Sequence, residues 1–233
     1  MLDGVTFIPQ ARLPLRMPGW WARQDWPLLS AARFQLPLLL PAEARRCIYL
    51  DIDIVVGTDL SELHDVDLGG APVGMVPNTG MTQSVRTYIA TLGLSPDEYC
   101  NAGVMLIDLE AWRREDAPRR LIEHGRAMRP DIWFFDQDML NTYFRGRCCL
   151  LEGRWNHRNA GVESHGVIQH LAGRPKPWQT READVTAPGL LGWHHALARS
   201  GFVAPRLQLY SRLRKSVRSR LAQWRRWALL AIR

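Results

Sequence analysis

The sequence predicts an α/β fold, a mixed sheet flanked by helices. Three observations carry that expectation. Residues 47–56, Cys-Ile-Tyr-Leu-Asp-Ile-Asp-Ile-Val-Val, form a nearly unbroken apolar run of strand length. Further short β-rich runs recur at 73–76, 103–107, 147–151 and 166–170. Segments with helix signals stand between several of them, and strands alternating with helices give a sheet covered on its faces.

Taken in order, Val5–Ile8 is a short β-rich run closed by Pro9. Residues 9–30 hold five Pro or Gly punctuators (Pro9, Pro14, Pro18, Gly19, Pro27) and read as loop. Ser30 is a plausible helix N-cap, with the helix running to about Leu40 and kinked or shortened by Pro37. The 47–56 run reads as one central strand with both faces covered. Asp116 with Pro118 marks another helix start, continued by Leu121, Ile122 and His124. Asp136 precedes Met139, Leu140, Tyr143 and Phe144, which share a helix face.

Composition narrows the function. The 233 residues suit one domain plus an appendage. With 46% hydrophobic and 23% charged residues the chain can build a core. No run approaches the ~18 apolar residues of a membrane span, and Met1–Gly4 opens no secretory leader. Cys47, Cys100, Cys148 and Cys149 make no C-x-x-C pair, so a disulfide framework or thiolate zinc site is not expected. The expected compartment is the cytoplasm. A net charge of +7 points to anionic partners.

Four constellations carry chemistry. In a strand, Asp51 and Asp53 at i and i+2 point to one side. Paired carboxylates repel unless a proton or cation intervenes, and hard divalent ions favour oxygen ligands; a solvated strand end or a turn cap is the plain alternative. His170 opens His-Leu-Ala-Gly-Arg-Pro-Lys-Pro-Trp, in which Gly173 admits close backbone approach and Lys176 brings a point charge suited to phosphate. In Asp136-Gln137-Asp138, helix capping and the helix dipole alone could account for both acids. Cys100-Asn101-Ala102-Gly103 reads equally well as a turn.

Order and spacing make the combination specific. Tyr49-Leu50-Asp51-Ile52-Asp53 is followed by Asn101-Ala102-Gly103-Val104 with Asp108, Leu109 and Trp112. Then come Asp136-Gln137-Asp138 with Leu140-Asn141, next Trp155-Asn156, and last the run 170–178. Ala32-Arg33-Phe34 fits the same pattern, with Ala31 where an aromatic usually stands. Over roughly residues 5–180 the sequence resembles glycosyltransferase family 8, retaining enzymes of GT-A fold that include bacterial lipopolysaccharide galactosyl- and glucosyltransferases.

The resemblance implies that Asp51, Asp53 and His170 bind a metal, Mn²⁺ or Mg²⁺. Gly173 and Lys176 would hold the diphosphate, and Arg33, Ile52, Asn101, Ala102, Asp136 and Gln137 would face the nucleotide sugar. Gln137 and Asp136 stand where the family places its reacting centre. The implied donor is UDP-galactose or UDP-glucose, and the implied acceptor a glycan or lipid-linked saccharide in lipopolysaccharide or cell-surface glycan synthesis. Two departures stand out. The family's βαβ unit ahead of the match to Val5–Ile8 is absent, which would leave an apolar sheet edge beside Asp51. Residues 74–84 also lack the family's Asp-containing segment.

The domain division expected is 1–205 for the GT-A-like domain, incomplete at its N-terminus, and 206–233 for a separate tail. From Arg206 to Arg233 there are nine Lys or Arg and no acid, with Leu213, Val217, Leu221, Trp224 and Ala228 at helical spacing. This reads as a basic amphipathic helix that lies on an anionic membrane surface, placing the protein peripherally on the cytoplasmic face. Nucleic acid is not an expected partner, because the basic residues cluster in that tail. A haloacid-dehalogenase-like phosphohydrolase shares Asp-x-Asp at a strand end but needs a later acidic pair, which is missing. A non-catalytic remnant of a glycosyltransferase is the other alternative.

Overall fold

The computed structural model describes residues 8, 13–15, 28–128, 132–159, 161, 164–173, 175–180 and 186–200. The Val5–Ile8 run, apart from an exposed Ile8, and the 206–233 tail lie outside them. The chain divides into two compact units, residues 1–51 with 59–156 and residues 52–58 with 157–233.

Unit 1 is built on a four-stranded sheet in the order β1-β4-β3-β5, with β1 Arg46–Leu50, β3 Val73–Pro77, β4 Cys100–Asp108 and β5 Cys148–Leu150. β4 runs antiparallel to both β1 and β3, while β3 and β5 are parallel, so the sheet is mixed as expected. The nine residues of β4 are almost all buried, and this is the strand that runs through the core. The Ser30 region is helical but tighter than expected. Leu28–Gln35 is a 3₁₀ segment that passes into a single α turn, α1 Leu36–Leu39, which carries Pro37. Five helices follow: α2 Leu60–His64, α3 Gln83–Thr91, α4 Leu109–Arg114, α5 Ala117–Ala127 and α6 Asp136–Tyr143.

Capping fixes the start of α4, where the Asp108 carboxylate accepts from the Ala111 N–H at 2.8 Å. Trp112 is fully buried, donates its indole N–H to Pro72 O at 2.9 Å and packs on Phe144 at 5.2 Å between ring centroids. α5 and α6 cross closely at Gly125. A Cβ there would stand 2.2 Å from the Met139 methyl carbon, so glycine is what lets the helices meet. Across β3 and β4 the register jumps, Met75 pairing with Met105 but Val76 with Asn101. This bulge frees the main chain of residues 102 and 103 from β3 and turns it toward side chains and β1.

The apolar run 47–56 is not one strand. It breaks after Leu50, and its second half, β2 Ile54–Val56, belongs to unit 2. β1 is also not central. Its five residues are only half-buried, and β4 is its one paired neighbour among the described strands. An apolar run cannot itself encode which partner each half will pair with, and here the halves find different ones.

Unit 2 contains an antiparallel pair, β2 with β6 Ile168–His170, in which Ile54 faces His170. Gly57 closes this ribbon. Its N–H donates to Val167 O at 2.9 Å and its carbonyl accepts from Gly166 N–H at 2.8 Å. A Cβ at Gly57 would fall on the Ser164 carbonyl, so any side chain would force the ribbon apart. Helix α7, Pro188–Arg199, has no counterpart in the sequence expectations; its Gly189 lies against the amide of Gln169.

Candidate active site

In unit 1 the site grows from Arg33, a buried guanidinium presented by the 3₁₀ segment. It pairs with Asp51 Oδ1 at 2.8 Å and with Asp136 Oδ2 at 3.2 Å, and donates to Ala102 O at 2.6 Å and Ser30 O at 2.7 Å. Tyr49 lies under the guanidinium at 4.4 Å and donates its hydroxyl to Asp51 at 2.6 Å. One cation thus serves two carboxylates. Burial pushes the Asp136 carboxyl up to about 6, against the pull of Arg33 and with a further push from the Asp51 charge. Arg33 is itself held above its usual range; burial opposes this, and the charges of Asp136 and Asp51 outweigh it.

Asp136 and Gln137 open α6. Phe135, just before it, has φ of 41°, a left-handed conformation unusual for a bulky residue, and that strain sets the direction in which the helix begins. Gln137 Oε1 accepts from Asn101 Nδ2 at 2.9 Å and from the Ala102 N–H at 3.2 Å. Asn156 Nδ2 donates to Asn101 Oδ1 at 2.8 Å. Asn141 clamps β4 by accepting from the Cys100 N–H at 2.7 Å and donating to Cys100 O at 2.9 Å. The expected group Arg33, Asn101, Ala102, Asp136 and Gln137 is therefore one hydrogen-bonded cluster around the β4 bulge.

In unit 2 the cluster is Asp53, His170 and Lys176. The Asp53 carboxylate is 4% exposed and His170 3% exposed, with 3.4 Å between Asp53 Oδ1 and His170 Nε2. The Lys176 ammonium sits on Asp53 Oδ2 and also donates to Ala172 O at 3.1 Å and Leu171 O at 3.4 Å. Burial alone would raise the Asp53 carboxyl; hydrogen bonds and charge from His170 and Lys176 reverse that and bring it to about 2. β2 and β6 position these groups, because the Leu171 N–H donates to Asp53 O at 2.8 Å.

Asp51, Asp53 and His170 form an Asp-Asp-His donor set of the kind that holds a metal ion. The expectation that Asp51 and Asp53 share a strand face does not hold, since the chain leaves β1 at Asp51 and Asp53 lies in the following turn. Ile52, between them, is 82% exposed. The Gly173 position opens onto free space, where a Cβ would meet nothing within 4 Å.

Tyr88, Tyr99 and the second acid, Asp138, were not legible as site residues. Asp138 is 0% exposed and accepts from both tyrosine hydroxyls and from the Phe134 N–H at 2.8 Å. The signal available was Asp138 itself: an acid on the apolar side of a helix must find donors.

A model of glycosyl transferase family 8 matches residues 23–182, more than half of the chain. This chain belongs to glycosyl transferase family 8. Among relatives, general stress protein A of Bacillus subtilis is 31% identical over 154 residues, 64% of this chain and 52% of that protein. The probable glycosyl transferase Gly of Streptococcus gordonii is 30% identical over 146 residues, 59% of this chain and 20% of that protein. The chain spans about half or less of the length of these relatives. Among solved structures, the galactosyltransferase LgtC, in complex with donor and acceptor sugar analogues, is 28% identical with a TM-score of 0.64, covering 83% of this chain and 72% of LgtC. GlyE of Streptococcus pneumoniae, at 22% identity and TM-score 0.58 over 81% of this chain and 46% of GlyE, shares the fold. The family 8 chain therefore has the GT-A-like mixed sheet flanked by helices that its sequence predicts.

Proposed function

We propose that this family 8 chain carries the sugar-transfer site of a retaining, metal-dependent glycosyltransferase that takes a hexose, galactose or glucose, from a UDP-sugar to a glycan or lipid-linked saccharide acceptor. The observation that carries the reading is the Asp53–His170–Lys176 cluster, a buried carboxylate already holding a cation. The ammonium of Lys176 is surrounded by three oxygens, from Asp53, Leu171 and Ala172. Such an oxygen-rich, anionic position suits Mn²⁺ or Mg²⁺. Asp51, Asp53 and His170 are the residues we assign to the ion, which when bound supplies Lewis-acid neutralisation of a leaving diphosphate.

The remaining roles belong to the chain's own groups. Lys176, with Gly173 leaving room beside it, takes the diphosphate and stabilises the charge that grows there as the sugar departs. Arg33, fixed by Asp51 and Asp136, and Asn101, fixed by Asn156, orient the donor sugar, with Ala102 lining its path and Ile52 reaching the nucleotide from an exposed position. Gln137 stands at the reacting carbon, with Asp136 beside it. The similar LgtC, 28% identical with a TM-score of 0.65 in this form, has been solved as an active-site glutamine-to-glutamate variant, which supports attention to a glutamine. Synthesis of lipopolysaccharide or another surface glycan, on the cytoplasmic face of the membrane, is the setting we propose. The basic segment 206–233 is its anionic-membrane contact. Among the described residues no helix is long and apolar enough to cross a membrane.

The test is UDP release from UDP-galactose and UDP-glucose with and without Mn²⁺, for this chain and for a version preceded by a family-like βαβ unit. Mn²⁺-dependent release from one donor, lost in Asp53→Asn, is the expected result. No release by either version would contradict the reading and favour a non-catalytic family member.

A further inference from the structure

The hydrogen bonds around Gln137 fix not only where its amide lies but which end points where. At one end the donors leave no choice. The Ala102 main-chain N–H can only donate, so the amide end 3.2 Å from it is the oxygen. Asn101 gives the same answer. Its Oδ1 accepts from the Gly103 N–H at 3.0 Å, so its Nδ2 is the end that meets Gln137, and Gln137 must present Oε1.

The other end is set through a tyrosine. Gln137 Nε2 lies 3.1 Å from the Tyr99 hydroxyl, and that hydroxyl is bound tightly to Asp138 Oδ1. Gln137 Nε2 can only donate, so the Tyr99 oxygen must accept from it, and the single Tyr99 proton is directed at Asp138 Oδ1. Asp138 is held by donors on its other side, Tyr88 at 2.6 Å and the Phe134 N–H at 2.8 Å, both on Oδ2. The Tyr88 oxygen in turn accepts from the Trp133 N–H at 2.8 Å, so its own proton is also directed at Asp138. Tyr88 is braced further by flat stacking on Trp133, 4.3 Å between centroids and 2° between planes.

We propose that Tyr99 and Asp138 are positioning residues that set the amide orientation of Gln137. The polarity runs from the buried carboxylate through one phenol to the glutamine, with Tyr99 acting at one remove from the donor sugar and Asp138 at two. This rests on the assignment of Gln137 to the reacting centre, but the hydrogen-bond polarity itself can be read without turnover.

Three single variants separate the idea from general loosening of the core. Tyr99→Phe keeps the ring and deletes the link. Asp138→Asn keeps the shape and makes either direction of the Tyr99 hydrogen bond possible. Tyr88→Phe removes a donor from Asp138 Oδ2 while leaving the Oδ1–Tyr99–Gln137 path intact. The first readout is the ¹⁵N–¹H NMR of the Gln137 side-chain amide, assigned by its loss in Gln137→Ala. Its signals should shift, and its protection from hydrogen exchange should fall, in Tyr99→Phe and Asp138→Asn but not in Tyr88→Phe. The second readout is turnover of the donor that the parent chain consumes. kcat should fall about tenfold in the first two variants, with donor KM within about twofold, as expected when geometry and not binding is disturbed. Equal effects of all three variants on the Gln137 amide would overturn the proposal, as would an unmoved amide signal in Tyr99→Phe. If the parent turns over neither UDP-galactose nor UDP-glucose, the functional reading fails while the amide signals still decide the positioning.

Discussion

Each unit holds a buried carboxylate, Asp136 in unit 1 and Asp53 in unit 2, and the two are held in opposite ways. Asp136, in unit 1, shares one cation with Asp51, because Arg33 bonds both. Asp53, in unit 2, meets two potential cations, His170 and the Lys176 ammonium. The first carboxyl is pushed up to about 6, the second brought down to about 2. Burial pushes both carboxyls up; Arg33 offsets only part of that push at Asp136, where the Asp51 charge adds to it, while the hydrogen bonds and charge of His170 and Lys176 reverse it at Asp53. The Arg33 cluster is short of positive charge and tightly hydrogen-bonded, as suits a rigid frame. The Asp53 cluster binds positive charge strongly and holds it with a flexible lysine, as suits a position where one cation can replace another.

The largest effect expected from this contrast is at Arg33. Replacing it by Met should cost about 3–5 kcal/mol, since two buried carboxylates would lose their shared cation. Urea unfolding would measure it. A loss below about 1 kcal/mol would mean that Asp51 and Asp136 are better served by other groups than the geometry indicates. Asp53→Asn should come next, at about 2 kcal/mol at neutral pH, the worth of its lowered pKa. Stability equal to the parent would show that the Lys176 and His170 contacts add nothing net.

The pH dependence sharpens the same comparison. Folding lowers the Asp53 pKa, so its stabilisation is present above the ordinary carboxylate value of 3.8 and lost as pH falls toward about 2. Folding raises the Asp136 pKa, so the folded state holds that proton more tightly. Its stabilisation is present below 3.8 and is lost as pH rises toward about 6. The stability profile should climb from pH 2 to 4 and then decline toward pH 6. Asp136→Asn should make the decline shallower, leaving the part due to Asp138, which burial also raises, and Asp53→Asn should remove the climb, each by on the order of 1–2 kcal/mol. A decline that stays as steep in Asp136→Asn would assign it to another group. The smallest effect belongs to Lys176→Met. Its side chain is partly exposed and bonded to only one carboxylate, so the loss should stay within about 1 kcal/mol by thermal unfolding.

The contrast also explains what the sequence made legible. Asp51, Asp53 and His170 could be picked out because metal-competent residue types stood at strand ends in a recognisable order. Asn101, Asp136 and Gln137 were singled out the same way, and the structure joins them around a bulge that hydrophobic periodicity does not reveal. The strand break at Asp51 was missed because Leu50, Ile52 and Ile54 look equally buried as letters, yet Ile52 is exposed and Ile54 pairs in another sheet. Asp138 read as an acid favoured by a helix dipole. Its role depends on Tyr88 and Tyr99, 50 and 39 residues away, and such distant partners leave no local trace. Helix α7 was missed for a nearer reason: its residues, Pro-Gly-Leu-Leu-Gly-Trp-His-His, carry two glycines and no N-terminal cap.

The most direct test of the account is calorimetric titration of Mn²⁺ into the parent chain and into Asp53→Asn and Lys176→Met, without donor. If Asp53 is the centre of a cation position that Lys176 occupies in the metal-free protein, the parent should bind one ion per chain. Asp53→Asn should weaken that binding at least tenfold, and Lys176→Met should strengthen it several-fold by removing the competing ammonium. Unchanged Mn²⁺ affinity in Asp53→Asn would contradict the account.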